Sequence, residues 1–530
     1  MKVRRFSQFR SALAFITCFG AAGYLTTQSQ GSEKPNIIII NADDLGYGDL
    51  GCYGATRIKT PNIDRLAKGG RRFTDAHSAS AVCSPSRYGL LTGRYPLRKN
   101  FWGPIPLTQP LTIDPAHLTL ASLLKGAGYD TACIGKWHLG FGTQKPDWNG
   151  ELKPGPLELG FDYYFGIPSV NSGPPFVYVE NHHVVGADPA DPFIYGKKSV
   201  TQQYPEKSGY AGIGGGKEAH ELYVDEMIGT TLKNKAVDWI KKRKNSKPFF
   251  LYLATTNIHH PFTPAKQFVG TSDCGLYGDF VHELDWMVGE VLRAVEEMKM
   301  TDNTLVIFTS DNGGMLNVTG QKARKAGHAM NGALLGYKFG AWEGGHRVPM
   351  IARWPGKIPA GTTTKHLISQ IDLAATLAAI VDRPLKEGEA VDSVNQLQNL
   401  TGSSKMPVRK TLIISPNSPK HLTVRHGKWV YIPSRDEGGF QGKKLGNHLF
   451  AGAAALPFSG KSNSDVVNGK IRPDAPPAQL YDLEADPYQT KNLYSQHPET
   501  VSELKAILKG YRTKIPPTQP VGWINLKQKM

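Results

Sequence analysis

Pro35-Asn36-Ile37-Ile38-Ile39-Ile40-Asn41-Ala42-Asp43-Asp44-Leu45-Gly46 is the stretch from which the rest of the chain is read. Four consecutive isoleucines leave no polar face, so the run fits a strand buried on both sides, as in the parallel sheet of an α/β protein. In open α/β sheets, ligand groups collect at the carboxyl ends of strands. Two adjacent carboxylates there repel each other unless a cation lies between them; a solvated Asp-Asp turn is the plain alternative. A second strand of the same kind, Thr304-Leu305-Val306-Ile307-Phe308-Thr309, runs into Ser310-Asp311-Asn312-Gly313-Gly314. Its acid and amide supply further oxygen ligands, and its glycines would let the backbone fold closely around an ion. Asp43, Asp44, Asp311 and Asn312 thus form an all-oxygen set, which favours calcium or magnesium over zinc. Calcium suits several carboxylate oxygens better than the strict octahedron of magnesium.

Three other stretches carry chemistry-bearing residues. Cys83-Ser84-Pro85-Ser86-Arg87, followed by an apolar turn and Leu91-Thr92-Gly93-Arg94, reads as a loop entering a helix. Backbone N–H groups and the helix dipole gather at Cys83, with Arg87 one turn along to hold an anion. Tyr129 to Gly140 reads as a strand that delivers Lys136 and His138 two apart, on one face. A lysine there suits an anionic oxygen and a histidine suits a proton. The buried-type strand Phe249 to Ala254 runs into His259-His260-Pro261, and Lys338 stands five residues before Glu343-Gly344-Gly345-His346-Arg347.

In this order the motifs resemble those of the type I sulfatases, and the resemblance runs from about Lys34 to the C-terminal tail. It rests on Cys83-x-Pro85-x-Arg87 with Leu91-Thr92-Gly93-Arg94, on Gly135-Lys136-Trp137-His138-Leu139-Gly140, and on Lys338 to Pro349. The fold it implies is α/β and alkaline-phosphatase-like: a large mixed, mostly parallel sheet sandwiched by helices, with a smaller C-terminal α+β domain on an antiparallel sheet. It implies that a formylglycine-generating enzyme converts Cys83 to formylglycine, whose hydrate joins Asp43, Asp44, Asp311 and Asn312 around one calcium, magnesium being the second choice. The implied catalytic set is Cys83, Arg87, Lys136, His138, His259 and Lys338. One hydroxyl at residue 83 attacks sulfur while Asp311 takes its proton. Arg87, Lys136 and Lys338 surround the sulfate, and His259, with Lys338, protonates the departing alcohol. His138 then deprotonates the second hydroxyl. Glu343 and Arg347 are framework, and His260 is the adjacent alternative to His259 or else faces substrate.

The expected protein is a secreted sulfuric ester hydrolase acting on a sulfated carbohydrate, a polysaccharide or glycosaminoglycan fragment, or on an aryl sulfate. The alternatives are a phosphonate or phosphodiester hydrolase of the same superfamily and a non-catalytic binder of sulfated glycans. At 530 residues, 40% hydrophobic and 20% charged, the chain has the composition of a large globular protein. Its formal charge of +17 draws anionic partners without choosing among them, and no nucleic-acid motif is present. Residues 1–31 read as an export signal, with a basic start and an apolar run from Ala12 to Leu25. The expected location is therefore periplasmic or extracellular, with no membrane segment after cleavage. Residues 32–400 are expected to form the catalytic domain and 401–530 the C-terminal subdomain. Loss of the leader takes Cys18 and leaves Cys52, Cys83, Cys133 and Cys274, too few for a disulfide scaffold. Residues 168–220, with a polar tract from Ser208 to Gly216, are expected to pass over the active-site face. Phe101-Trp102, His117, His182-His183 and His260 are candidates to line a sugar pocket.

Overall fold

The computed structural model describes residues 34–199, 211–243, 247–440, 442 and 444–524. The leader, Cys18, Lys244 and the start of the 208–216 tract lie outside the described residues. The isoleucine run forms the strand Asn36–Ala42 at the centre of a ten-stranded sheet. In spatial order the sheet runs Thr362–Thr364, Arg71–Phe73, Met350–Arg353, Thr304–Ser310, Asn36–Ala42, Phe249–Ala254, Asp130–Gly135, Tyr163–Gly166, Val179–Glu180, His183–Val184. The five from Thr304–Ser310 to Tyr163–Gly166 are mutually parallel, so their carboxyl ends share one edge. Antiparallel pairs flank them on both sides.

Alternation along these strands builds two cores. Ile37, Ile39, Phe250, Tyr252, Leu305 and Ile307 face the helices Cys83–Thr92, Leu120–Gly126 and Leu373–Ile380. Ile38, Ile40, Leu251, Leu253, Val306 and Phe308 face Pro61–Lys68, Ile228–Lys241 and Leu276–Glu297. Both faces are dry, which is why the central strands carry no polar alternation. Burying one such side chain contributes about 1.5–3 kcal/mol.

A four-stranded antiparallel sheet follows, ordered Thr411–Ile414, Thr423–His426, Trp429–Ile432, Gln479–Asp482. Helix Pro498–Arg512 seats Val501, Leu504 and Leu508 on it beside Leu412, Val424 and Leu480. The described cysteines are all free. Among the described residues no helix is long and apolar enough to cross a membrane.

Candidate active site

Four of the five parallel strands deliver site residues at their carboxyl ends: Asp43 and Asp44, Asp311 and Asn312, Lys136 and His138, and His259. Helix Cys83–Thr92 begins among them, after an extended Val82 that offers no side-chain cap. Cys83, Arg87, Lys136, His138, His259 and Lys338 are all buried, as are the four oxygen-bearing residues.

The structure brings Lys136 and His138 to the site by a route that differs from strand alternation. The strand stops at Gly135, where φ is 118° and a Cβ would lie 1.8 Å from the Ala254 carbonyl oxygen. Only glycine fits that approach. Beyond it, the Lys136 N–H donates to Ala254 O (2.8 Å) and the His138 N–H to Pro168 O (3.2 Å), with His138 at φ 55°. Gly313 admits the backbone of Gly344, whose carbonyl oxygen would be 1.9 Å from an added Cβ. That contact docks the 336–345 turn, and the Lys338 N–H donates to Gly314 O (3.0 Å).

Charges interlock within the site. Lys136 Nζ donates to Asp43 Oδ2 (2.6 Å), and Lys338 Nζ to Asp44 Oδ1 (2.5 Å). Arg87 donates twice to Asp311 Oδ2, from Nε (2.9 Å) and Nη2 (2.7 Å), and once to the Lys136 carbonyl (2.9 Å). Its guanidinium thus holds Asp311 and the lysine loop. Burial opposes the Arg87 charge, but Asp311 and Asp43 outweigh it and raise its pKa. Burial, with Asp43 next, raises Asp311 above the usual carboxylate range. Asp44, His138 and Phe339 hold left-handed backbone, at a cost of roughly 1–2 kcal/mol for a residue with a Cβ, and such strain concentrates at functional sites.

The two histidines are poised differently. His138 Nδ1 lies 3.4 Å from Cys83 Sγ. Burial first, then Lys136, Arg87 and Lys338, hold its pKa well below the ordinary histidine value. His259 Nδ1 faces Asn171 Oδ1 (3.1 Å) and His260 O (2.7 Å), while Asn171 Nδ2 donates to His259 O (3.1 Å). Asn171 therefore assigns the hydrogen to Nδ1 and turns Nε2 towards Asp44 Oδ2, 3.9 Å away. Burial, then Lys136, also hold His259 well below its ordinary value.

A cation fits this site on the chemistry of its donors. Asp43, Asp44 and Asp311 each place a carboxylate oxygen within 4.8 Å of the others. Asp43 Oδ1, Asp44 Oδ2 and Asn312 Oδ1 are buried and accept no hydrogen bond. Buried acceptors left in that state are costly unless something positive meets them. Cys83 differs from these ligands: burial keeps its thiol protonated, a poor partner for a hard cation.

Residues 35–382 match the family model described as Sulfatase. The chain belongs to the sulfatase family. This sulfatase is 40% identical over 512 residues to an N-acetylgalactosamine-6-O-sulfatase of Bacteroides thetaiotaomicron, covering 92% of this chain and 94% of the relative. It is 36% identical to human N-acetylgalactosamine-6-sulfatase, covering 69% and 66%. A solved structure labelled 6S-sulf, described with the metabolism of multiple glycosaminoglycans by Bacteroides thetaiotaomicron, superposes with a TM-score of 0.79 at 38% identity, covering 91% of this chain and all of that one.

Among the other candidates, Glu343 and Arg347 pair with each other (3.2 Å). Phe101 and Trp102 are fully buried, and the Trp102 indole donates to Asn100, so they are core rather than pocket lining. His182 pairs with Glu158, and His117 meets the charges of Arg94 and Asp114. Among the described residues, neither histidine is bonded to a site residue. Asn171 is the site residue that sequence reasoning missed. It lies in the 168–220 segment, but no spacing marks it, because its contact with His259 spans 88 positions.

Proposed function

We propose that this sulfatase removes the 6-O-sulfate from N-acetylgalactosamine residues of glycosaminoglycan fragments. In the proposal Cys83 acts as formylglycine, and one divalent cation, calcium before magnesium, is held by Asp43, Asp44, Asp311 and Asn312. The observation that carries the reading is charge balance. Asp43, Asp44 and Asp311 oppose Arg87, Lys136 and Lys338, three against three, in a buried cluster. A divalent cation would take the cluster to a net charge of +2, which a sulfate monoester anion partly offsets and a neutral substrate does not. The names of the similar proteins support the sugar and the sulfate position.

When bound, the cation would lower the pKa of a hydroxyl at residue 83 and draw charge from the sulfate. The hydrated aldehyde at residue 83 would supply two hydroxyls, one to attack and one to release the product. Arg87 fixes Asp311, and Asp311, raised by burial, accepts the attacking proton. Lys136 and Lys338 turn from their carboxylates to the sulfate oxygens, held in place beforehand by their backbone bonds. His259, whose neutral form carries its hydrogen on Nδ1, takes up a second proton on Nε2 as the anionic ester binds and, with Lys338, delivers it to the departing sugar oxygen. His138, beside the residue 83 side chain, takes the last proton and frees the sulfate.

Export by the 1–31 leader, to the periplasm or beyond, belongs to the same reading. The test is sulfate release from N-acetylgalactosamine 6-sulfate by protein co-produced with a formylglycine-generating enzyme, with Cys83→Ala as the blank. Release that is lost in the variant supports the proposal. Hydrolysis of the matching phosphate ester with no release of sulfate would overturn it.

A further inference from the structure

One loop of the C-terminal region reaches the catalytic end of the main sheet. Residues 437–452 leave and return at one point, because the buried Glu437 accepts the Gly452 N–H on Oε1 (2.7 Å) and its carbonyl accepts the Ala341 N–H (2.8 Å). Further along, Gln321 grips the loop twice, accepting the Gly446 N–H (2.8 Å) and donating to Asn447 O (2.9 Å).

The loop presents side chains to both sides of the reacting centre. Phe440 meets Phe339 edge to face, with centroids 5.2 Å apart, and together with Leu449 it packs on the cluster of Val82, Cys83, Met315 and Phe339. The exposed His448 sets its Nε2 3.2 Å from His260 Nε2, and His260 stacks on His259 at 4.3 Å. The loop therefore touches the surroundings of the nucleophile and of the proton donor at once. In the proposed function the departing alcohol passes between the residue 83 side chain and His259, and Phe440, His260 and His448 flank those two groups.

We infer that Phe440 and His448, together with His260, form the subsite for the sugar carrying the sulfate, with His448 and His260 hydrogen-bonding its polar substituents and Phe440 facing its C–H surface. This rests on the proposed function and deepens it. Two imidazoles in N–N contact pair one donor with one acceptor, and a sugar hydroxyl entering between them would accept from one and donate to the other. An aromatic ring beside them suits the apolar face of a pyranose.

The test compares kcat/KM for N-acetylgalactosamine 6-sulfate with that for an aryl sulfate, which has neither ring hydroxyls nor an acetamido group, in the mature enzyme. In His448→Ala and Phe440→Ala the ratio of sugar to aryl activity falls roughly tenfold, mostly through KM, and His448→Gln restores part of it. Unfolding temperatures are measured alongside to confirm that the variants fold. An unchanged ratio in both alanine variants, whether or not total activity drops, would overturn the subsite. Failure of the parent enzyme on the sugar sulfate would instead overturn the proposed function, before any variant is compared.

Discussion

Replacing His259 by alanine separates proton delivery from sulfate capture. Its Nε2 lies 3.9 Å from Asp44 Oδ2, inside the charge cluster, while its Nδ1 is tied to Asn171 and the His260 carbonyl. A sugar alcohol leaves poorly as an alkoxide, so a positioned acid contributes about 10²–10⁴-fold to its departure. In barrier terms that is about 2.7–5.4 kcal/mol. An activated phenol leaves without a proton, and its sulfate ester is expected to lose less than about tenfold in His259→Ala. Asn171→Ala gives a graded version. It removes two neutral hydrogen bonds of 3.1 Å, one at the imidazole Nδ1 and one at the His259 carbonyl, and roughly tenfold on the sugar ester is expected from that loosened position. The assay is single-substrate kinetics on both esters, with thermal unfolding as the check on folding. Equal losses on the two esters would refute the acid role and assign His259 to sulfate binding or to the fold.

Three further outcomes follow from the same geometry. Calcium at about 100 times its Kd is expected to add roughly 2.7 kcal/mol of stability; calorimetry should show the corresponding rise in unfolding temperature in the parent and its loss in Asp44→Asn. Gly135→Ala drives a Cβ to 1.8 Å from Ala254 O at φ 118°, so soluble yield and unfolding temperature should fall sharply, and a near-native value would contradict the strand-end reading. The third concerns pH. Burial pushes His346 down to about 4, so on acidification the unfolded chain takes up the proton first. The folded state then loses stability as pH falls from about 6.5 to about 4, by roughly 3 kcal/mol for this one group. His346→Gln should flatten that part of the stability profile, measured by unfolding temperature at pH 7 and pH 5, and an unchanged acid loss would sink the assignment.

What was legible in the sequence was whatever one continuous stretch encodes. The isoleucine run and Thr304 to Thr309 showed strands buried on both faces, and the acids after them fell at carboxyl ends because parallel strands share an edge. Helix Cys83–Thr92 was readable from its proline, its apolar turn and its glycine stop. The outer strands Arg71–Phe73 and Val179–Glu180, each one in from an edge of the sheet, are too short to show a period. Lys136 and His138 were found for a reason the backbone does not follow, since a glycine bend rather than alternation aims them. Asn171 and His448 were out of reach, because each acts through a partner 88 and 188 positions away. Phe101 and Trp102 could be read as packing or as lining, because an aromatic pair in sequence does not show which side of the core it enters.

The most direct measurement is the mass of the peptide spanning residues 73–87, taken from sulfate-releasing protein purified from its own host. A buried, protonated thiol amid oxygen ligands suits neither the cation nor the attack, so the account predicts that the CH2–SH of Cys83 has become an aldehyde. An unmodified cysteine in protein that still releases sulfate would contradict it.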